Sequence, residues 1–292
     1  MNSNLWIAIA AFCMVLQTYL QIGTAIHWDV LAFHVFASTL TSYLLHRHVA
    51  LRKLPLSLHH QTAVIQWSLR HRLFLQFLFA GAVLLALITF WLLHFKVQMA
   101  LLSVGVITFL YSVPLIPSQK TWLRLRDFAF SKIFIIAIIW SFTTVWIPII
   151  HLKVGVSQSV LIALMIERFL FLLAITLPFD IRDQHFDQRE SVMTIPHLIG
   201  TKSAKTLAIL LLVLMCGSAF LRMDGFSFHQ FLPLVISSLM TTFFIIQTHS
   251  KQSPYFYTGW IDGMMVLQFL LVLIFYYNIM DNTVAFIGIF FN

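Results

Sequence analysis

Four of the chain's ten acidic residues lie in the segment LPFDIRDQHFDQRE, which spans residues 177–190. If this segment is helical, Asp180, Asp183 and Asp187 follow an i, i+3, i+7 spacing and lie on one face. Three like charges on one face repel one another, so a positive charge must offset them. Carboxylates are oxygen ligands that suit Mg²⁺, an ion that usually keeps several waters and also binds substrate phosphates. The spacing therefore indicates a metal site that could hold a diphosphate.

Basic residues lie next to these carboxylates. Arg182 and Arg189 fall within the same segment, and Lys202 follows it. Each could bind a phosphate oxygen that a metal leaves free, since charge-assisted hydrogen bonds to phosphate are among the strong ones in proteins. The alternative is a solvated loop of mixed charge that only anchors a helix end. The spacing alone does not decide between the two interpretations.

The composition places these residues in a membrane protein. The chain has 292 residues, of which 60% are hydrophobic and 10% are charged, and its mean hydropathy is +0.90. A water-soluble fold of this size could not bury so much apolar surface. This excludes a soluble enzyme, a disordered chain and a nucleic-acid-binding domain, despite a net charge of +8. The two cysteines, Cys13 and Cys216, lie in apolar stretches, so no disulfide framework is expected.

Nine apolar stretches approach the length of about 20 residues that a helix needs to cross a bilayer. They are apolar all round, whereas the strands of an outer-membrane barrel would alternate apolar and polar positions. We therefore predict an all-α, polytopic membrane protein with about nine transmembrane helices in a single domain, residues 1–292. The predicted spans are 5–26, 28–45, 73–94, 97–117, 128–150, 157–178, 204–221, 229–248 and 260–279.

The charges of the loops predict the orientation of the chain. Of the 18 Lys and Arg residues, only Lys96, Lys153 and Arg222 fall on the side of the membrane opposite the aspartates, and Arg168 lies inside a span. Because loops rich in Lys and Arg stay in the cytoplasm, the aspartates are predicted to be cytoplasmic. The N-terminus would then be inside and the C-terminus outside, in the inner membrane if the source is a bacterium. The first apolar run is interpreted as a retained span, since no basic residue precedes it and no cleavage site follows.

The acidic segment resembles the second aspartate-rich motif of the UbiA-type intramembrane prenyltransferases. That motif has three acidic positions, which Asp180, Asp183 and Asp187 match. A Thr and a Gly follow in the family, and Thr194 and Gly200 match them.

The resemblance extends beyond this motif, with one local departure. Val192 and Met193 replace the family's usual Gly and basic residue before the Thr. Nine spans and a cytoplasmic position for the acidic loop agree with the family's architecture. So does the sequence YSVP at residues 111–114, which a basic segment at residues 120–126 follows. The resemblance therefore covers most of the chain.

The resemblance implies a function and a site. In the family, two aspartate-rich loops face each other at the cytoplasmic mouth of a helical bundle, and each helps to hold Mg²⁺ that binds the diphosphate of a prenyl donor. For this chain it implies transfer of a prenyl group from a prenyl diphosphate to an aromatic or lipid acceptor. The implied metal ligands are Asp180, Asp183 and Asp187, of which Asp183 and Asp187 are catalytic, and the implied substrate-binding residues are Arg182, Arg189, Lys202, Arg47 and Tyr111.

The first aspartate-rich motif of the family is missing from this chain. It should follow the second span, but no Asp, Glu or Asn occurs in residues 30–126. Tyr43, His46, Arg47 and His48 occupy the corresponding position. One half of the metal site is therefore absent, which puts a two-metal mechanism in doubt.

Other residues could replace the missing half. Arg47 and Arg52 could bind a diphosphate directly as fixed positive charges. Asp127 or Asp262 could supply a further metal ligand. The histidines near the missing motif could bind a transition metal, although ordinary histidines at the membrane surface are the simpler interpretation.

Two ionisable residues, Glu167 and Arg168, lie midway along the sixth predicted span. Charges at that depth are costly and often functional, so the two could position an acceptor or move a proton, but a structural ion pair is the simpler interpretation.

Two other functions stay open for the chain. The missing motif suits a non-catalytic protein of the same fold that binds an isoprenoid or a membrane partner. The midspan charges would suit a small-solute transporter.

Overall fold

The computed structural model describes residues 4–26, 29–53, 63–112, 116–117, 122–123, 131–189, 193–222 and 228–290. For residues 53, 63, 112, 116–117, 122–123, 185–189, 228–229 and 279–290 it describes the backbone alone. The regular structure in these ranges is helical, apart from two short strands that pair antiparallel, β1 (Ile116–Pro117) and β2 (Trp122–Leu123).

Several of the helices join end to end. A π-helical turn, Phe142–Trp146, connects α6 to α7, and a second one, Tyr257–Ile261, connects α11 to α12. In chain order the α-helices are α1 (Leu5–Gln21), α2 (Val30–Lys53), α3 (Ala63–Arg70), α4 (Arg72–Leu92), α5 (Phe95–Ser112), α6 (Ser131–Ser141), α7 (Ile147–Leu152), α8 (Gln158–Arg189), α9 (Ile195–Leu221), α10 (Phe228–Gln247), α11 (Pro254–Phe256) and α12 (Gly263–Phe290).

The helices confirm an all-α, polytopic membrane protein. Among the described residues, six helical stretches are long and apolar enough to cross a membrane, and two shorter apolar helices, Leu5–Gln21 and Phe95–Tyr111, accompany them. The six are Arg72–Leu92, Ser131–Leu152, Gln158–Gln184, Ile195–Leu221, Gln230–Gln247 and Pro254–Asn278. Each of the nine predicted spans overlaps a helix, but nine membrane crossings remain a prediction.

Several boundaries differ from the predicted spans. The helix α8 continues beyond residue 178 to Arg189, α9 begins at Ile195 rather than near 204, and the short helix α3 was not predicted. The reason is that a predicted span stops at the last apolar residue of a run, whereas a helix can continue through polar turns that pack on a neighbouring helix. The contact between α8 and α9 is the most extensive between any two elements described, and it supports the added turns of both helices.

The N-terminal helix lies at the centre of the bundle. α1 packs against α2, α7, α12 and both π-helical turns. Its buried side chains include Ala8, Ala10 and Ala11, and small residues let helix backbones approach closely inside a membrane. The helix α1 also carries large apolar residues such as Met14 and Leu16, which are buried as well. Its combination of small and large apolar residues therefore explains why it lies in the core.

A proline explains one polar contact of α1. Pro148 has no N–H, so it cannot donate to the carbonyl of Thr144 four residues earlier. The hydroxyl of Thr18 on α1 donates to that carbonyl at 2.6 Å instead. In a membrane the backbone groups that a proline frees must find such partners, and this one fixes α1 against the first π-helical turn.

Asp29 joins three helices at one end of the bundle. Its carboxylate caps α2 by accepting a hydrogen bond from the backbone N–H of Ala32 at 3.0 Å. It also accepts from the hydroxyl of Tyr19 on α1 at 2.7 Å and pairs with Nε2 of His151 on α7 at 3.0 Å. Burial raises the pKa of this carboxyl, but the three hydrogen bonds outweigh burial and hold its pKa below the ordinary value.

We expect Asp29→Ala to lower the free energy of unfolding by about 1–2 kcal/mol, because it removes the cap of α2 and the links to α1 and α7. Asp29→Asn is the matched control, since an amide oxygen can still cap the helix. Because the folded-state pKa is lowered, the stability from the charge is complete above the unfolded pKa of about 3.9 and is lost as the pH falls through the folded value. Thermal unfolding in detergent across this pH range checks both effects, and an unchanged Asp29→Ala protein would contradict them.

Candidate active site at the Asp180 end of the bundle

The helix α8 carries the predicted carboxylates. Because α8 is continuous to Arg189, the positions of Asp180, Asp183 and Asp187 lie on one helical face. Asp180 is buried, and Nζ of Lys132, at the start of α6, donates to its Oδ1 at 3.0 Å. This end of the bundle, which we call the Asp180 end, lies roughly 30 Å along α8 from the start of that helix.

Arg182 neutralises the second carboxylate of the motif. Its Nε lies 2.7 Å from Oδ1 of Asp183, and a terminal nitrogen lies 2.9 Å from Oδ2, so the pair is bidentate. The guanidinium also lies over the rings of Phe179 and Tyr257, 5.1 Å and 5.3 Å from their centres. Such cation–π contacts fix the direction in which an arginine points. Arg182 is therefore held in place as a donor at the Asp180 end of the bundle.

Residues from other helices complete this site. Asp262 follows the second π-helical turn and interacts electrostatically with Arg182. Tyr43 on α2 lies in the same region as Asp262 and Tyr111. The hydroxyl of Tyr257 donates to the carbonyl of His249 at 2.9 Å. The described contacts of the site thus join α6, α8 and the π-helical turn before α12.

Two residues of the site were not predicted as site residues. Lys132 was counted only as a cytoplasmic charge, and Tyr257 was not singled out. The pair of Lys132 with Asp180 joins residues 48 positions apart, so no local spacing could reveal it. Tyr257 occurs in the π-helical turn Tyr257–Ile261, a conformation that has no strong sequence signal.

The predicted substrate-binding residues do not all lie at this site. Arg47 donates to the side chain of Asn4 and lines a cavity of about 260 Å³ with His48 and Arg72, between α2, α3 and α4. Lys202 is exposed on α9. Tyr111 lies near the end of α5, in the same region as Tyr43. The side chains of Asp187, Arg189 and residues 120–127 lie outside the part of the chain that the structure describes.

The start of α9 is tied to α8 beside the carboxylates. Gln184 donates to the carbonyl of Pro196 at 3.4 Å and accepts from the hydroxyl of Thr201 at 3.4 Å. Between these contacts Gly200 interrupts the helix with φ 80° and ψ 158°. Residues other than glycine rarely adopt such a backbone, so the glycine at position 200 has a physical reason.

We expect Gly200→Ala to lower the free energy of unfolding by about 1–3 kcal/mol through backbone strain. An added Cβ would meet nothing within 4 Å, so a steric clash cannot be the cause. Gly217→Ala is the matched control in the same helix, where a Cβ also meets nothing and alanine favours the helix. Thermal unfolding in detergent of both variants checks this, and equal stability of the two would contradict the role of the glycine conformation.

The midspan charges form a separate buried network. Nε of Arg222 lies 2.7 Å from Oε1 of Glu167, and both side chains are 5% exposed. Arg168 donates to the carbonyl of Met14 at 3.1 Å and to the hydroxyl of Thr18 at 3.2 Å on α1. Glu167 lies about 20 Å along α8 from Asp180. The network ties α1, α8 and α9 together, which favours a structural role over a transport pathway.

The donor atoms at the Asp180 end fit Mg²⁺ in type. No group of three or more His, Cys, Asp or Glu side chains among the described residues could hold a metal ion. However, Mg²⁺ in phosphate sites commonly uses one or two carboxylates together with substrate phosphates. Asp180 and Asp183 could supply these two, provided that their cationic partners turn toward the substrate.

Comparisons with known proteins complete the description of this site. No protein family model matches the chain, and no curated protein matches it. A UbiA homologue from Archaeoglobus fulgidus, solved with GPP and Mg²⁺, is 16% identical with a TM-score of 0.57, over 95% of this chain and 100% of that chain. An apo UbiA homologue from Aeropyrum pernix K1 is 14% identical with a TM-score of 0.58, over 95% and 98% of the two chains.

A third solved structure, of digeranylgeranylglyceryl phosphate synthase, is 13% identical with a TM-score of 0.54, over 94% of this chain and 96% of that chain. Identities this low carry no information about the reaction, but the shared architecture covers nearly the whole of each chain. The chain therefore has the fold of the UbiA homologues.

Proposed function

We propose that this protein binds a prenyl diphosphate at the Asp180 end and transfers its prenyl group to an aromatic or lipid acceptor. One observation carries the proposal: paired carboxylates and fixed cations lie together at the mouth of a fold that is shared with a UbiA homologue solved with GPP and Mg²⁺. The proposed ligands of Mg²⁺ are Asp180, Asp183 and Asp187. The proposed diphosphate contacts are Arg182, Arg189 and Lys202, with Tyr111 beside them.

The two cations at the site have a defined role in this proposal. Lys132 and Arg182 hold the carboxylates in the free protein and would turn to the diphosphate oxygens when substrate binds. Arg182 suits this role because its planar group can hold phosphate with two hydrogen bonds. Bound Mg²⁺ would supply further positive charge against the leaving diphosphate. Direct binding of the diphosphate by Arg47 is proposed only as an alternative, since Arg47 lines a separate cavity.

The aromatic residues near Arg182 would protect the reacting carbon. The centre of the Tyr257 ring lies 5.7 Å from that of Phe179 and 5.5 Å from that of Phe256. When the carbon–oxygen bond to the diphosphate breaks, the allylic carbon becomes positively charged, and an acceptor atom bonds to it and releases a proton. Apolar walls that exclude water prevent hydrolysis of such a carbon.

A second candidate is a non-catalytic protein that binds an isoprenoid. The pairing of Asp180 with Lys132 and of Asp183 with Arg182 favours it, because the charges of these carboxylates are already offset. The residues that replace the first motif, such as Tyr43 and Arg47, favour it as well. This candidate requires binding of the prenyl chain without formation of a product.

The membrane topology is part of the proposal. We propose nine spans in a single domain, with the Asp180 end and the N-terminus in the cytoplasm and the C-terminus outside. The distribution of Lys and Arg supports this orientation. Labelling of single cysteines from each side of the membrane, in a variant that lacks Cys13 and Cys216, would test it.

A test for a product distinguishes the two candidates. The purified protein, reconstituted with a membrane lipid extract and Mg²⁺, is incubated with labelled geranyl, farnesyl and geranylgeranyl diphosphate. We expect label to move into a chloroform-soluble product that elutes apart from the free prenol. If bound label is always recovered as intact diphosphate, the non-catalytic candidate replaces the enzyme.

A further inference from the structure

A long groove lies on the side of α5. Its other wall is formed by α6, the first π-helical turn and α7, and its volume is about 1160 Å³. The walls are apolar and include Val104, Ile107, Ile139 and Trp146. One end of the groove is different, because His94, Lys96 and Lys153 line it. These three residues, which we call the basic rim, lie at the end of the bundle opposite Asp180, next to the start of α8.

The basic rim contains most of the cationic residues on a side of the protein that has few of them. Three cations, Lys96, Lys153 and Arg222, lie on that side by sequence, and Arg222 is paired with Glu167. The two remaining lysines both line the same groove. Both are exposed, and the structure pairs neither of them with a carboxylate in the ranges that it describes. The free positive charge of this side is therefore concentrated at one place.

The acidic residue near the rim does not neutralise these lysines. Asp29 bonds to His151, Tyr19 and the backbone of Ala32. The ring of His151 lies 6.0 Å from that of His94 in the rim, so Asp29 is near the rim but already has three partners. No carboxylate of the described residues pairs with Lys96 or Lys153, so both lysines can bind an anionic ligand.

An apolar groove with a cationic end matches an amphiphile that has a negative headgroup. Basic pockets between transmembrane helices bind anionic lipid headgroups, and acyl chains cover apolar helix surfaces in a bilayer. We propose that this groove is a binding site for one anionic phospholipid from the leaflet opposite the Asp180 end. Lys96 and Lys153 hold its phosphate, and one acyl chain follows the groove past Trp146. This site does not depend on the proposed transferase function.

Lipid titration with native mass spectrometry of the full-length protein in detergent tests the site. The probes are phosphatidylglycerol and phosphatidylcholine with identical acyl chains. We expect the wild type to bind phosphatidylglycerol about thirtyfold more tightly. Lys96→Gln with Lys153→Gln should weaken phosphatidylglycerol binding about thirtyfold, as expected for two lysines near a headgroup, and leave phosphatidylcholine unchanged.

Two further variants make the test specific. Ser103→Trp places a large ring in the groove and should weaken binding of both lipids. Arg72→Gln with Lys251→Gln removes the same charge at the Asp180 end and should leave the tightest site unchanged. An equal loss in this control, or no preference of the wild type for phosphatidylglycerol, would overturn the proposal. Tighter binding of a polyprenyl monophosphate than of phosphatidylglycerol, lost in the same lysine variant, would overturn the choice of occupant.

Discussion

Glu167→Ala is expected to lower the free energy of unfolding by about 3–5 kcal/mol, the usual cost of breaking a buried ion pair by removing one partner. Glu167 is the acidic partner of Arg222, and both are 5% exposed. Arg168 is buried beside them. Without the carboxylate of Glu167, the guanidinium groups of Arg168 and Arg222 stay buried inside the bundle but lose the negative charge beside them. A charge at that depth is costly.

A double-mutant cycle separates this pair from its surroundings. Arg222→Met should cost a similar amount, because it leaves the carboxylate of Glu167 buried. The double variant Glu167→Ala, Arg222→Met should lose clearly less stability than the sum of the two single losses. Thermal unfolding in detergent gives the comparison. Losses below about 1 kcal/mol in both single variants would mean that the pair is not a structural element, and the transporter interpretation would have to be reconsidered.

Asp183→Asn is expected to lower prenyl transfer at least a hundredfold, which is the usual effect of removing one group that stabilises a developing charge. The substitution is close in shape but cannot bind Mg²⁺ as a carboxylate does. Asp183 and Arg182 are about 30% and 27% exposed, and exposed ion pairs contribute only about 0–1 kcal/mol to stability. The variant should therefore fold normally, so that a loss of turnover reports on the site.

Arg182→Gln shows whether Asp183 acts only through its partner. If Asp183 merely positions Arg182, the two variants have equal turnover, and the double variant is no worse than either. If Asp183 holds a metal ion, the double variant is slower than Arg182→Gln. The turnover is measured with the labelled donor that gives the best product yield. Full turnover in Asp183→Asn would remove this residue from the catalytic site.

The sequence was sufficient to predict the main elements of the fold. Uninterrupted apolar runs predict membrane helices without reference to tertiary structure. The helices α4 and α10 begin and end near the predicted limits, and so does the joined stretch Ser131–Leu152, which runs from α6 through α7. The helical face with Asp180 and Asp183 was also predictable, because i, i+3 spacing determines it once the helix continues. The sequence did not establish that α8 continues beyond residue 178, because the segment there is polar. The prediction of a shared face therefore depended on the assumption that this segment is helical.

Contacts between distant parts of the chain could not be predicted in this way. Glu167 and Arg168 are adjacent, and the simpler interpretation of the sequence was that they take part in a structural ion pair, whose partners the sequence did not identify. The structure instead pairs Glu167 with Arg222, 55 positions away. Lys132 with Asp180 is a similar case. Such pairs depend on which helices pack together, and an apolar pattern that is uniform around each helix does not specify its neighbours.

The position of Arg47 shows the same limit. Because it replaces part of the missing motif, it was expected to bind the diphosphate. In the structure it contacts Asn4 and lines a cavity with Arg72. Binding of the diphosphate by Arg47 therefore stays a prediction. A shift of one turn along a helix moves a side chain about 5 Å, and an alignment to a motif without its aspartates does not fix the position of a side chain to within one turn.

Binding of a labelled prenyl diphosphate to the purified wild type, with Mg²⁺ and with EDTA, tests the central proposal most directly. The account predicts saturable binding that EDTA lowers at least tenfold and that the double variant Asp183→Asn, Asp187→Asn lacks. Binding that is equally tight in EDTA, and tighter in the double variant because Arg182 is released, would contradict the metal site and favour direct binding by cations. Absence of binding at every chain length tested would limit the similarity with the UbiA homologues to the fold.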